Sequence, residues 1–223
     1  MPRRTSKGPS AERYVDQTIA LISEKGGSRD VNLREISRRI GCAHTNVYNY
    51  FASLDDLLWA AFRRALRLYA EAMVEGLDGS LSGHAFFQRL IRNLVGFAVD
   101  HPGLHRFISS DPLDPERIPD DVIVTVSGLK RFYMDCLAVL CGDRLDRRRV
   151  EQLGDILLAY LDGETFNLIN GRVLPDEDIV ARVLGNAERL FALLTAETHD
   201  GIDLSGEAGR RGELSFPRME ALP

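Results

Sequence analysis

The stretch Asn32–Phe51, NLREISRRIGCAHTNVYNYF, constrains the fold more than any other part of the chain. Asn32 can cap a helix, and Glu35 three residues on can answer it in a capping box. Leu33, Ile36 and Ile40 recur at helical spacing and give that helix one buried side. Gly41 follows, a residue that enters the left-handed conformation freely and so ends a helix in a sharp turn. Beyond it the spacing predicts a second helix over 43–51, with Val47 and Phe51 facing inward. His44, Thr45, Asn46, Tyr48, Asn49 and Tyr50 keep polar or aromatic ends free to point outward. Two short helices around a glycine turn, the second with a polar face, outline a helix-turn-helix that reads DNA.

The charge distribution points the same way. The net charge of −5 conceals nine Lys and Arg against five acids in residues 1–51, and 19 against 28 in the remainder. Phosphate contacts dominate affinity for nucleic acid, so a basic start on an acidic chain localises binding to that start. Residues 1–9 have little to bury and read as a flexible basic arm, with Arg3, Arg4 and Lys7 available to a minor groove or to phosphates. The first ten residues lack the apolar core of a secretory signal, and no run of roughly 18 uncharged apolar residues suits a membrane span. Cys42, Cys136 and Cys141 have no metal-type spacing, and reduced thiols in a cytoplasmic protein account for them most simply.

Taken in order, the first helix should run from Ser10 to Lys25, with Tyr14, Val15, Thr18, Ile19 and Ile22 as its inward stripe and Gly26-Gly27 as its stop. Ser53 can cap a long connecting helix whose apolar pattern runs from Leu57 to Leu77, with Asp55 and Asp56 complementing its positive end. Gly76 to Gly83 breaks that pattern. Further helices follow near 84–100, 103–109, 120–141, 147–170 and 176–197, with loops at Pro102-Gly103, Asp111–Pro119, Cys141–Asp146 and Gly171–Pro175. Val122-Ile123-Val124 has strand character, but the spacing of Leu129, Phe132, Tyr133, Cys136, Leu137 and Leu140 beyond it favours helix. The fold class is therefore all-α: an N-terminal three-helix DNA-binding domain (10–52), a connecting helix (53–78), a helical ligand-binding and dimerisation domain (79–199) and a flexible tail (200–223). The last two helices, 147–170 and 176–197, are apolar over arcs wider than one core face requires, as a homodimer joined through a four-helix bundle would need.

Residues 12–62 resemble the DNA-binding domain of the TetR (tetracycline repressor-like) transcriptional regulators. The likeness rests on Glu24-Lys25-Gly26, Leu33-Arg34-Glu35-Ile36, Gly41, Val47-Tyr48-x-Tyr50-Phe51 and Ser53-x-Asp55-x-Leu57, about a quarter of the chain. It implies base-edge contacts from His44, Thr45 and Asn46. Asn46 has the geometry to read adenine, and Thr45 can meet a thymine methyl. It implies phosphate contacts from Arg34, Tyr48 and Tyr50, with Asn49 beside them. Two positions depart from the family's pattern. Leu54 stands where Lys is common, and Ala43 stands where a Ser or Thr cap is usual.

The resemblance also implies that the second domain binds a small molecule. Candidate lining residues are Phe86, Asn93, Phe97, Phe107, Phe132, Tyr133, Tyr160, Phe166, Asn167 and Asn170, although a well-filled core predicts the same aromatics. His101 and His105 are four apart but separated by Pro102-Gly103, so no metal site is expected. No nucleophile elbow, phosphate loop or metal-ligand cluster occurs, so neither a catalytic activity nor a cofactor is expected. The sequence thus predicts a homodimeric regulator that binds a double-stranded, palindromic operator and is released from it by a small hydrophobic effector. An activator of the same fold is the first alternative. The second is a helical small-molecule-binding protein or enzyme whose DNA-reading head is vestigial.

Overall fold

The computed structural model describes residues 9–172 and 178–196, and the basic arm up to residue 8 and the tail at 200–223 lie outside them. Among the described residues there are α-helices and short 3-10 segments and no strand. The helices are α1 (Ala11–Lys25), α2 (Leu33–Ile40), α3 (Leu54–Val74), α4 (Gly83–Asp100), α5 (Pro102–Ser109), α6 (Asp120–Cys141), α7 (Arg147–Ile169) and α8 (Ile179–Ala196). The segment Val122-Ile123-Val124 is helical, as the spacing beyond it indicated. The chain forms two compact units: residues up to Leu68 together with His101–Asp120, and Tyr69–Asp100 together with the chain from Asp121 on. The long helix α3 contributes to both, and residues 101–120 group with the first unit rather than with the domain expected over 79–199.

In the first unit, Ser10 caps α1 by accepting from the Arg13 amide, and Gly26 ends the helix at φ 71°. Tyr14, Thr18, Leu21 and Ile22 are the buried face. Helix α5 lies directly on α1. Its Gly103 sits so close that a Cβ there would fall 2.6 Å from the Ile22 carbonyl oxygen. Pro102 and Gly103, expected in a loop, form the first turn of α5. Proline is at home there because the first helical amide has no partner to lose. The His105 amide accordingly reaches the His101 carbonyl at 2.9 Å. Phe107 packs edge-on against Phe62 of α3, centroids 5.5 Å apart, and Trp59 meets Phe62 edge-on in turn.

The second unit is built on α4, α6, α7 and α8, with α7 packed on both α8 and α4, and α4 on α8. Gly154 lets α7 approach α6. A Cβ there would meet the Met134 sulfur and the Leu137 side chain. Phe87 and Phe191 join α4 to α8 with ring centroids 4.7 Å apart. Polar pins hold the same pairs: Gln88 and His84 both reach Glu188, and Arg182 grips Glu164 through two bonds of 2.9 and 2.7 Å. The α3 pattern expected to run to Leu77 ends at Val74. There the Asn93 amide donates to the carbonyls of Met73 and Glu75 at 3.0 and 2.8 Å, satisfying acceptors that a helix end leaves open.

Two predictions concern stability. Gly103→Ala should destabilise the chain by about 1–3 kcal/mol, because a backbone carbonyl cannot yield the space. Gly96→Ala, which meets nothing within 4 Å, should stabilise it by up to about 1 kcal/mol. The midpoints of urea unfolding separate the two. His105 is buried, and burial holds its imidazole pKa down to about 4. The unfolded chain then binds the proton more readily than the native one, so this contribution is complete above about pH 6.5 and is lost as pH falls toward 4. Replacing His105 with Gln should flatten that acid limb of the stability curve, measured by denaturant unfolding between pH 7.5 and 4.

Candidate nucleic-acid interface

The interface is assembled on α2 and the segment after it. Asn32 Oδ1 accepts from the Glu35 amide at 3.0 Å, as expected of a cap. The reciprocal half of the capping box is not made. The Glu35 carboxylate turns instead to Lys25 Nζ at 2.5 Å and to Arg39 at 3.4 Å, which holds its pKa below the usual carboxylate value. A cation from α1 outcompetes a single backbone amide for an ionised oxygen. Gly41 ends α2 at φ 80°, and its amide closes on the carbonyls of Ser37 and Arg38.

The α-helix predicted over 43–51 is a 3-10 helix, His44–Asn49. Ala43 supplies no side-chain cap, and the next residues are poor helix formers: β-branched Thr45 and Val47, with Asn46 and Asn49 between and after them. A run this short cannot repay α-helix nucleation from propensity. Val47, 1% exposed, anchors the segment. Tyr14 of α1 anchors it a second time. The fully buried phenol ring lies 5.9 Å from Tyr50 and 6.5 Å from Phe51, and its hydroxyl meets the Cys42 thiol at 3.1 Å. Burial first, and the Cys42 contact second, push the Tyr14 phenol well above its usual range.

With those anchors inside, His44, Thr45, Tyr48, Asn49 and Tyr50 are exposed and Asn46 is half-buried. Tyr48, at 54% exposure, is the more accessible of the two outward tyrosines, since Tyr50 also packs against Tyr14. Arg34 projects from the first turn of α2, exposed. Of the other basic residues, Lys25 and Arg39 are committed to Glu35 and Glu24, and Arg29 lies near Asp111. Arg38 is exposed on α2, four residues after Arg34 and therefore on the same face. The i, i+4 spacing of Arg34 and Arg38 marks Arg38 as a further candidate that the sequence reading passed over. Leu54, at the start of α3, is half-buried and adds no charge.

The residues predicted to line a small-molecule pocket divide between the two units, and within the second unit between interior and surface. Phe107 belongs to the first unit, against Phe62. Phe166 is 43% exposed, under the Arg172 guanidinium. Asn93 caps α3, the Asn170 amide returns to the Phe166 carbonyl at 2.8 Å, and Asn167 lies half-buried near the end of α7. Phe86 and Phe132 are buried core residues, and Tyr160 is half-buried on α7. Phe97 and Tyr133 are likewise buried, each near Tyr69 of α3. Phe97 stacks edge-on with Tyr69 at 5.2 Å, and the Tyr133 hydroxyl is buried without a hydrogen-bond partner. Burial raises both the Tyr69 and Tyr133 phenols, with the Asp162 carboxylate adding to each. Tyr69 was not among the sequence candidates, because its place in the α3 stripe reads as core.

The eight α-helices among the described residues, in this order, with a glycine turn feeding a short outward segment and a long helix leaving it, have the fold of the TetR-like transcriptional regulators. No family model matches the sequence. A TetR-family transcriptional regulator from Streptomyces coelicolor superposes with a TM-score of 0.66 at 18% identity, covering 84% of this chain and 82% of that one. The transcriptional regulator FadR from Bacillus subtilis, in complex with stearoyl-CoA, gives 0.62 at 17% identity over 85% of this chain and 100% of that chain. In sequence, an uncharacterised HTH-type transcriptional regulator of Mycobacterium tuberculosis is 25% identical over 148 residues. That match covers 66% of this chain and 60% of the relative's length. No helix among the described residues is long and apolar enough to cross a membrane.

Removing the orphaned hydroxyl should not harm the protein. Tyr133→Phe is expected to leave stability unchanged or raise it by about 1 kcal/mol, because a buried unpaired O–H costs more than it returns. Urea unfolding of the variant against the parent chain checks this.

Proposed function

We propose that the chain is an effector-responsive DNA-binding transcriptional regulator that acts as a homodimeric repressor. The observation that carries this reading is the His44–Asn49 segment, held from inside by Val47 and Tyr14 while five polar or aromatic side chains face outward beside Arg34 and Arg38. Asn46 and Thr45 supply base-edge chemistry, and Tyr48, Tyr50 and the two arginines supply phosphate donors. The HTH-type regulator and the TetR-like structures that the chain resembles support the same reading.

A homodimer is supported by the outer faces of α7 and α8. Ile156, Phe166 and Leu193 are exposed there, and Gly163 and Gly185 have open space where a side chain would stand, so partner helices can approach closely. Two such subunits would meet half-sites one helical turn apart, roughly 34 Å. The effector would act by binding more tightly to the subunit arrangement that misplaces the two segments. The shift it achieves is limited by that difference in affinity. The unpaired Tyr133 hydroxyl, within electrostatic reach of Tyr69, is the polar handle we assign to a small, mainly apolar effector.

The test is fluorescence anisotropy with labelled duplexes from the DNA flanking its own coding region. Binding should weaken steeply with salt. Tyr48→Phe should cost about tenfold, a phosphate hydrogen bond of about 1.4 kcal/mol. Asn46→Pro should abolish binding, since the Asn46 amide donates to the Ala43 carbonyl at 3.0 Å and proline cannot. Full binding by the proline variant would refute the assignment.

A further inference from the structure

One buried acidic group takes no part in the interface described above. Asp111, in the loop after α5, has a side chain only 1% exposed. Its Oδ2 accepts from the Ser28 backbone amide at 2.5 Å and from the Ser28 hydroxyl at 2.9 Å. Arg29 lies 3.7 Å from its other oxygen, but the arginine side chain is 74% exposed and adds little. The connection between α1 and α2 is wrapped around this carboxylate. Gly27 adopts φ 155°, and a Cβ there would stand 2.8 Å from Asp111 Oδ2.

The carboxylate is itself held firmly. Its backbone amide donates to the Arg106 carbonyl at 3.0 Å, closing α5, and α5 is seated on α1 through Gly103. Further along the same loop Arg117 reaches Asp55 in the first turn of α3 at 3.6 Å. Residues 101–120 thus tie into the rest of the first unit on α1, on the α1–α2 connection and at the start of α3. Charge-assisted bonds to a backbone amide are short and directional, and removing the acceptor strands a buried amide. The α1–α2 connection sets where α2 begins: Ser28 accepts from the Val31 amide, Val31 is buried, and Asn32 caps the helix.

We propose that Asp111 is a positioning residue for DNA recognition: its buried carboxylate fixes the α1–α2 connection and thereby the angle at which α2 and the His44–Asn49 segment are presented. The inference rests on the regulator reading above and assigns DNA affinity to a residue more than sixty positions from the His44–Asn49 segment. Asp111 touches no DNA in this scheme. It holds Arg34, Arg38 and the outward tyrosines in one register, so that they meet successive phosphates together.

The experiment uses the full chain as Asp111→Asn, which keeps the shape and one acceptor oxygen but removes the charge that strengthens both bonds, and as Ser28→Ala, which keeps the backbone bond but loses the hydroxyl. Affinity for a duplex enriched from a random pool by the parent chain is measured over a salt series. Amide hydrogen exchange is followed in the absence of DNA. Asp111→Asn should lower affinity at least tenfold and make the salt slope shallower by about one, because fewer phosphates are engaged together. Exchange should rise through 26–40 and stay unchanged in α7 and α8. Ser28→Ala should show a smaller loss in the same direction, and it carries the test should Asp111→Asn not fold. A merely destabilised protein would lose active fraction while keeping the parent slope, and that result would overturn the proposal. So would parent-like affinity and slope in both variants. A parent chain without salt-dependent DNA binding would instead sink the regulator reading, and this inference with it.

Discussion

A single buried ring, Tyr14, governs how the reading segment is held. The segment has neither the length nor the propensity to be a stable helix by itself, and Ala43 gives it no cap. What fixes it is tertiary: Val47 pointing in, the Tyr14 ring beneath Tyr50 and Phe51, and the Tyr14 hydroxyl on Cys42 at the turn. One side chain of α1 thereby touches both ends of the connection between α2 and α3. The exposed residues that give the site its chemistry depend on this hidden contact for their direction.

Charge in the first unit is divided between two tasks. Glu24, Glu35, Lys25 and Arg39 form a network that ties α1 to α2, and the largest influence on each acid is the cation bonded to it. Such exposed pairs contribute modestly to stability, but they remove cations from the inventory available to a polyanion. Arg34 and Arg38 are what the network leaves on α2. A sum of charges over residues 1–51 therefore overstates the field that DNA would meet from the described part of this unit, and the location of the unpaired charges matters more than the total.

Much of the fold was legible because it follows from periodicity and caps. Ser10, Asn32, Ser53 and Asp146 each begin a helix by side-chain acceptance, and Gly26 and Gly41 each end one in the left-handed region. The α6 and α7 boundaries follow the spacing to within a residue. What escaped were properties that depend on distant partners. Nothing local says that Glu35 will prefer Lys25 to the Asn32 amide, or that α5 will seat on α1 through Gly103 and so bring residues 101–120 into the first unit. The pocket residues were the least legible, since an aromatic that lines a cavity and one that fills a core obey the same helical spacing. Phe107 and Phe166 show how far such residues scatter, one grouped with the first unit and one 43% exposed.

The 3-10 geometry of His44–Asn49 changes what the segment can spell. With three residues per turn, positions three apart lie one above another, so Thr45 stacks in line with Tyr48 and Asn46 with Asn49. In an α-helix those partners would diverge by about 60° around the axis. Part of the outward surface is therefore two parallel columns of two residues, each column about 6 Å tall, flanked by the exposed His44 and Tyr50. Under the proposed function, a thymine methyl met by Thr45 and a phosphate met by Tyr48 would lie on one line along the segment. The column spacing would then restrict which steps of a duplex the two side chains could meet together.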